Sequence, residues 1–423
     1  MEARGPYSCF AFSLAFPDGN PAWHSSLSSY LRYYGLAMRI GIDNISPGEA
    51  TSLRGPGGMR SYLQSMLSEL SRQAPQHEFV LITPTWADHL LEKQPANVEL
   101  VRLLGVPVNR SLRSIYQQSV LAAVIALQRL DVFFATATIA PLLSTAPVVL
   151  AVQFTQFYEW PTAFGAIRTA YLKLMLPLSL KKARRALIFT EAARNDLAEW
   201  TGVSKEKIDV VPHGLSPVQA RLPEEQSDAY KCLSSTDLTG GRPYILYVSA
   251  TYDYKNHIGL IRAFAVIKRR LAIPHVLLLI GSQVSVSFAD LRTEATRLGV
   301  GEHVIFAGRL DPHERVLSAY AGADLTVIPT FYETFGFPVL EAMACGSPVI
   351  TSDSGSMAEV AEDAAVLVNP HDVDAIANGM EQVLRDPVLR QTLIVRGRER
   401  AKQYTWERSA AKTLQILEEA ARA

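Results

Sequence analysis

Two glutamates, Glu333 and Glu341, bracket the run Thr334-Phe335-Gly336-Phe337-Pro338-Val339-Leu340. The run follows a strand-like stretch, and Pro338 suits a first helical position, where its missing N–H costs nothing. The backbone N–H groups near Phe337–Leu340 then form the open donors of a helix N-terminus, a ready site for a diphosphate. Gly336 lets a ligand come close to the backbone. Carboxylates repel phosphate, so Glu333, before these donors, and Glu341, about a turn inside the helix, suit hydroxyls instead. Sugar hydroxyls would lie on one side and ribose hydroxyls on the other. Taken alone, the pair reads equally as two helix-start acids stabilised by the helix dipole.

A cation of the right kind lies upstream. Lys255 ends Tyr247-Val248-Ser249-Ala250-Thr251-Tyr252-Asp253-Tyr254-Lys255, just before a helix that Asn256 can cap. An ammonium there can neutralise a leaving diphosphate, and a solvated lysine beside a helix start is the plain alternative. Near the N-terminus, Arg54-Gly55-Pro56-Gly57-Gly58-Met59-Arg60 forms a glycine-rich loop, with Gly57 and Gly58 placed to turn tightly over phosphate or acceptor. Such a loop also fits a dinucleotide fold, but the G-x-G-x-x-G spacing is missing and Asp43 precedes the loop, which argues against a nicotinamide cofactor. No arrangement resembles a nucleophile–base triad, and no His/Cys cluster has metal-ligand spacing. Asp372-Val373-Asp374 has the letters of a metal-binding DxD but begins a late surface helix. The site therefore calls for no metal and no cofactor.

The elements around these residues define two domains. Strand-like runs at Arg39–Asp43, Glu78–Thr83, Val98–Leu103, Asp131–Ala135, Val148–Val152 and Ala186–Thr190 alternate with helical patterns, notably Ser114–Leu130 and Phe164–Ala183. A second series runs Tyr244–Ser249, His275–Ile280, His303–Ala307, Asp324–Ile328, Ser347–Thr351 and Ala365–Val368. Between them, residues 215–242 lose apolar periodicity and carry Pro217, Pro223 and Gly240-Gly241, as a linker does. Asp311 reads as an N-cap with Pro312 at the first helical position. The fold class expected is α/β, two doubly wound Rossmann-like domains (38–214 and 243–400) facing across a cleft, with ligands at the carboxyl ends of both sheets.

The segment from Glu333 through Phe-Gly-Phe-Pro-Val-Leu-Glu-Ala-Met-Ala-Cys-Gly, Ser347-Pro348-Val349-Ile350 and Ser354–Val360 to Asn369-Pro370 resembles the signature of retaining glycosyltransferases of the GT-B fold, family 4, of the bacterial, mannosyltransferase-like group 1 type. The resemblance covers about residues 38–410. It implies that Glu333 contacts the donor sugar and Glu341 the ribose, and that Lys255 neutralises the diphosphate. It implies a front-face transfer that retains anomeric configuration, from a nucleoside-diphosphate sugar to a saccharide or lipid-linked saccharide. Tyr404–Arg408 suggests that 401–423 holds a terminal helix packing back on the first domain. Two positions depart from the pattern. Ser249 stands where many relatives carry a phosphate-binding Arg, which leaves Arg309 as a candidate second cation. Gln153-Phe154 replaces a His-Asp pair; Gln153 can still donate and accept hydrogen bonds to the donor sugar. His213, where relatives often place Asn, reads as a turn residue. These departures keep two alternatives open: a catalytically impaired sugar-nucleotide-binding protein, and a phosphorylase or epimerase on the same scaffold, though no second acid/base set or phosphate acceptor site stands out.

Composition sets the outer limits. Lys+Arg and Asp+Glu both number 41, so no global field draws in nucleic acid or an anionic membrane. Cys9, Cys232 and Cys345 are too scattered for a disulfide framework and point to a reducing, cytoplasmic setting. No apolar run is long enough to span a bilayer. The basic cluster Lys181–Arg185 beside apolar residues from Tyr171 to Leu180 suits either anionic lipid on the inner face of the cytoplasmic membrane or a half-buried helix with a solvated end. Residues 1–37 read as a dispensable extension, or translation begins at Met38.

Overall fold

The computed structural model describes residues 37–45, 58–85, 95–107, 109–215 and 238–422. The N-terminal extension, Gly57 and most of the linker lie outside them.

Thirteen strands among the described residues form two all-parallel sheets. The first holds β1 (Arg39–Asp43), β2 (Glu78–Pro84), β3 (Val98–Leu103), β4 (Val132–Ala135), β5 (Val148–Ala151), β6 (Arg185–Ile188) and β7 (Ile208–Val210), in the order β3-β2-β1-β4-β5-β6-β7. The second holds β8 (Tyr244–Val248), β9 (Val276–Ile280), β10 (Val304–Gly308), β11 (Leu325–Ile328), β12 (Val349–Ser352) and β13 (Val366–Val368), in the order β10-β9-β8-β11-β12-β13. Central strands such as Val276–Ile280 and Leu325–Ile328 are apolar at nearly every position because helices cover both faces. The three-residue β7 carries too little pattern to be read from sequence.

The helices are α1 (Gly58–Gln73), α2 (Arg110–Leu127), α3 (Ala166–Lys182), α4 (Glu191–Thr201), α5 (His257–Leu271), α6 (Phe288–Arg297), α7 (His313–Gly322), α8 (Phe337–Ala344), α9 (Gly355–Ala361), α10 (Val373–Arg385), α11 (Pro387–Ala401) and α12 (Trp406–Arg422). One boundary corrects the sequence reading. Helix α7 starts at His313 with Pro312 before it, and the Asp311 carboxylate serves Arg309 (3.0 Å) and not the helix N-terminus.

Helix α12 returns to the first domain and lies against α1. Gln73 Nε2 donates to the Glu407 carbonyl (3.0 Å), and His77 meets Glu418 (3.0 Å). The domain crossover is pinned beneath it. The Leu215 N–H donates to the Tyr404 carbonyl (3.0 Å), and Lys412 Nζ donates to the Val210 carbonyl (2.7 Å). Gly214 has to be glycine, since a Cβ there would fall 2.0 Å from the Trp406 backbone nitrogen.

Candidate active site

In each sheet the strand order reverses once, between β1 and β4 and between β8 and β11. Ligands bind beyond the carboxyl ends of strands at such switch points. In the second sheet the loops there are Ser249–Asn256, after β8, and Pro329–Gly336, after β11. They carry Lys255 and Glu333.

The two loops are joined by backbone polar groups. Asn256, in the left-handed region at φ 57°, caps α5 by accepting from the Gly259 N–H (3.1 Å). Its amide donates to the Pro329 carbonyl (3.0 Å) and the Pro370 carbonyl (2.7 Å). The Phe331 N–H and the Thr330 hydroxyl both donate to the Tyr254 carbonyl (2.8 and 2.9 Å). This fixes Lys255 opposite Glu333, and the ammonium pairs with the carboxylate, the side chains being only 15% and 13% exposed. Burial pushes the Lys255 ammonium down to about 7. The carboxylate beside it opposes that fall.

Helix α8 opens on Gly336 at φ 131°, with no side chain capping it. A Cβ at Gly336 would lie 3.3 Å from the Met357 sulfur. The donor array is narrower than the sequence suggested. Val339 and Leu340 direct their N–H groups to the Gly336 carbonyl (3.0 and 3.4 Å), and Pro338 has none. The anion site therefore contracts toward Gly336 and Phe337. Glu341 lies on the same helix, buried, and its carboxylate meets His313 Nε2 at 3.1 Å.

The first domain closes onto this loop. The Gln153 N–H donates to the Thr138 hydroxyl (3.1 Å), and the Gln153 carbonyl accepts from the hydroxyl of Thr334, next to Glu333 (3.1 Å). The Gln153 side-chain Nε2 is buried without a hydrogen-bond partner. Thr155 and Tyr332 share a hydrogen bond (2.9 Å), and Trp160 stacks on Phe331 at 5.3 Å with rings 8° from parallel. Farther along, Thr190 bonds Ser356 (2.6 Å), and the Glu359 carboxylate accepts from Glu191 and Ala192 at the start of α4 (both 2.8 Å). Asp43, at the end of β1, is fully buried, and that burial raises its carboxyl to about 6.

Other sequence candidates are placed as follows. The Ser249 hydroxyl bonds the neighbouring Ala250 carbonyl (3.0 Å). Arg309 is paired with Asp311. Gly58 begins α1. His213 is buried among Tyr62, Phe189, Phe335, Phe337 and Trp406, with ring centroids 3.7–5.7 Å away, and burial holds its imidazole well below the usual range. Asp372 caps α10 through the Asp374 N–H (2.9 Å), and Asp374 pairs with Arg270 (2.8 Å). Among the described residues no three His, Cys, Asp or Glu side chains are grouped to hold a metal. His313, Tyr332 and Trp160 escaped the sequence reading; only the density of aromatics from Phe154 to Phe164 hinted at a packed loop.

Two doubly wound parallel sheets, each with a switch point, define a two-domain scaffold of the GT-B class. The second domain matches the family model of glycosyl transferases group 1 over residues 234–400, and the first matches that of glycosyltransferase family 4 over residues 56–219. The chain belongs to these group 1, family 4 glycosyltransferases. It is 30% identical over 247 residues to the O-antigen chain mannosyltransferase B of Escherichia coli, a match covering 58% of this chain and 64% of that protein. It is 28% identical over 287 residues to the D-inositol 3-phosphate glycosyltransferase of Rhodococcus erythropolis, covering 66% and 63%. The matches thus span a little under two thirds of these relatives. Among solved structures, sucrose-phosphate synthase from Thermosynechococcus elongatus superposes with a TM-score of 0.70 at 22% identity, over 90% of this chain and 98% of that one. Anabaena HepE in complex with UDP and glucose gives 0.65 at 20% identity, over 90% and 100%. These likenesses establish the GT-B fold.

Proposed function

We propose that the protein transfers a hexosyl group from a nucleoside-diphosphate sugar to a hydroxyl of a saccharide or lipid-linked saccharide, with retention and without a metal. The observation that carries this is the buried Lys255–Glu333 pair beside the bare start of α8. A bound diphosphate draws Lys255 away from Glu333 and sits against Gly336 and Phe337. Glu333 is then left to accept the donor sugar's hydroxyls, and Gln153 approaches from the other domain.

The C1–O bond to phosphate breaks as a bond from C1 to the acceptor oxygen forms on the same face. The acceptor proton passes to a leaving phosphate oxygen. No dedicated base is needed; the protein supplies charge and placement. The cross-domain contacts Thr155–Tyr332 and Trp160–Phe331 exclude water from the reacting centre and so protect the donor from hydrolysis. The O-antigen mannosyltransferase relative favours a role in polysaccharide assembly.

Incubation with a panel of labelled UDP-, GDP- and ADP-sugars and saccharide acceptors tests the proposal. Transfer from one donor in the presence of EDTA is the expected result. Donor binding with neither transfer nor hydrolysis would instead favour the non-catalytic binder that Gln153 and Ser249 suggest.

The cytoplasmic, membrane-peripheral setting forms part of the same reading. No helix among the described residues is long and apolar enough to cross a membrane. What supports surface attachment is the exposed apolar side chains of α2 and α3, where Ile115 and Ile167 are 66% and 86% exposed and Leu112 and Leu174 also stand in solvent. From Arg102 to Thr190 the sequence has ten basic residues and only Asp131 and Glu159 as acids. Within the expected cluster, Lys181, Lys182 and Arg184 are exposed, whereas Arg185 is held by Asp209 (2.8 Å). Co-sedimentation with anionic but not neutral liposomes is expected; equal recovery from both removes the membrane part.

A further inference from the structure

We propose that His313 is a positioning residue for the donor ribose, holding the Glu341 carboxylate in the orientation that accepts the hydroxyls of a nucleoside diphosphate. The proposal rests on the donor-binding reading of Glu341.

The topology brings the two together. A helix that follows a parallel strand starts at that strand's carboxyl end, so His313, the first residue of α7, lies on the ligand side of the second sheet. Helix α7 packs against α8. His313 and Tyr320 are seven positions apart and share one face of α7, and His313 meets Glu341 from it. The imidazole Nε2 is 3.1 Å from Glu341 Oε1, and Tyr320 is buried further along that face, with its hydroxyl left without a hydrogen-bond partner.

The exposures fit this role. Glu341's side chain is 11% exposed and His313's is 34%. The imidazole thus engages one oxygen of the carboxylate, and a buried carboxylate needs such a partner. A carboxylate tethered through one oxygen presents the other in a fixed direction, which a vicinal diol requires. Nothing in the Glu–seven–Glu spacing demands a histidine twenty-eight positions before the second Glu; only the packing of α7 on α8 supplies it.

The charged groups that act on His313 are Glu341 from α8, Glu314 from its own helix, and Asp311 from the preceding loop, itself paired with Arg309. The hydrogen bond His313 donates to Glu341 is the largest influence, and with the charges of Glu341, Glu314 and Asp311 it raises the imidazole above its ordinary value against the effect of burial. Pairing with Glu341 therefore favours the protonated imidazole, and the pair weakens as the imidazole loses its proton with rising pH. Donor affinity should carry that titration.

Calorimetry with UDP, GDP, ADP and inorganic pyrophosphate tests this on the full chain. For whichever nucleotide the wild type binds, His313→Ala is expected to lose roughly tenfold in affinity, the scale of one charge-assisted hydrogen bond. Pyrophosphate, which has no ribose, should bind the variant and the wild type alike. In the transfer assay, donor KM should rise more than kcat falls. His313→Gln, which can still donate to Glu341, should recover most of the affinity and remove the histidine's share of the pH dependence, leaving the share carried by Lys255. Unchanged nucleotide affinity in His313→Ala, or an equal loss for pyrophosphate, overturns the assignment. A wild type that binds pyrophosphate but none of the three nucleotides removes the donor-binding reading of Glu341 and this inference with it.

Discussion

Lys255 and Glu333, 78 positions apart in the chain, form a largely buried ion pair at the carboxyl ends of adjacent strands β8 and β11. Each group neutralises the other until an anion and a sugar compete for them. An ammonium and a carboxylate that must separate to bind opposite ends of one substrate can respond to that substrate and still leave no lone buried charge in its absence.

Glu333→Ala should lower transfer by about 10²–10³, as loss of a preorganised transition-state contact does, while the fold persists. The variant strands Lys255, whose pKa is already low, so its destabilisation should be larger at pH 6, where the ammonium is charged, than at pH 9. Thermal unfolding at the two pH values together with a labelled-donor assay checks both parts. Turnover equal to wild type would defeat the assignment.

The depressed Lys255 pKa gives nucleotide binding a sign. Above about pH 7 the ligand-free lysine is increasingly neutral, and a bound diphosphate restores its proton. Affinity for the preferred nucleoside diphosphate should therefore fall as pH rises from 7 to 9, with proton uptake visible as different calorimetric heats in phosphate and Tris buffers. Lys255→Met should reduce the buffer difference. Stability of the ligand-free protein runs the other way. Between about 7 and the ordinary lysine value of 10.5 the unfolded chain binds the extra proton, so this group's contribution grows with pH and is lost below the folded value.

Gly336→Ala should destabilise the protein by about 1–3 kcal/mol, because φ 131° is strained for any residue with a Cβ and the new methyl presses on Met357. Urea denaturation measures the cost. Diphosphate affinity should fall with it, since the methyl also covers the approach to the start of α8. A variant as stable as wild type with normal nucleotide affinity would show that the loop tolerates a side chain.

The sequence alone carried much of this. Apolar runs spaced by helical patterns predict two α/β domains because parallel strands buried on both faces have to be apolar along their length. Strands such as Arg39–Asp43 and Val98–Leu103 could be placed to the residue. Lys255, Gly336, Glu333 and Glu341 were legible because a bare helix start, a close backbone approach and a charge each demand a residue type at a fixed local spacing. The partners of those residues were not. Glu333 against Lys255, Glu341 against His313, Gln153 against Thr334 and Trp160 against Phe331 all join segments far apart in the chain. Their proximity follows from strand order and domain closure, which no local pattern encodes. The two glutamates were thus singled out from sequence as candidate hydroxyl-binding acids. Which cation pairs with the first and which imidazole with the second was decided only by the strand order and helix packing of the second domain.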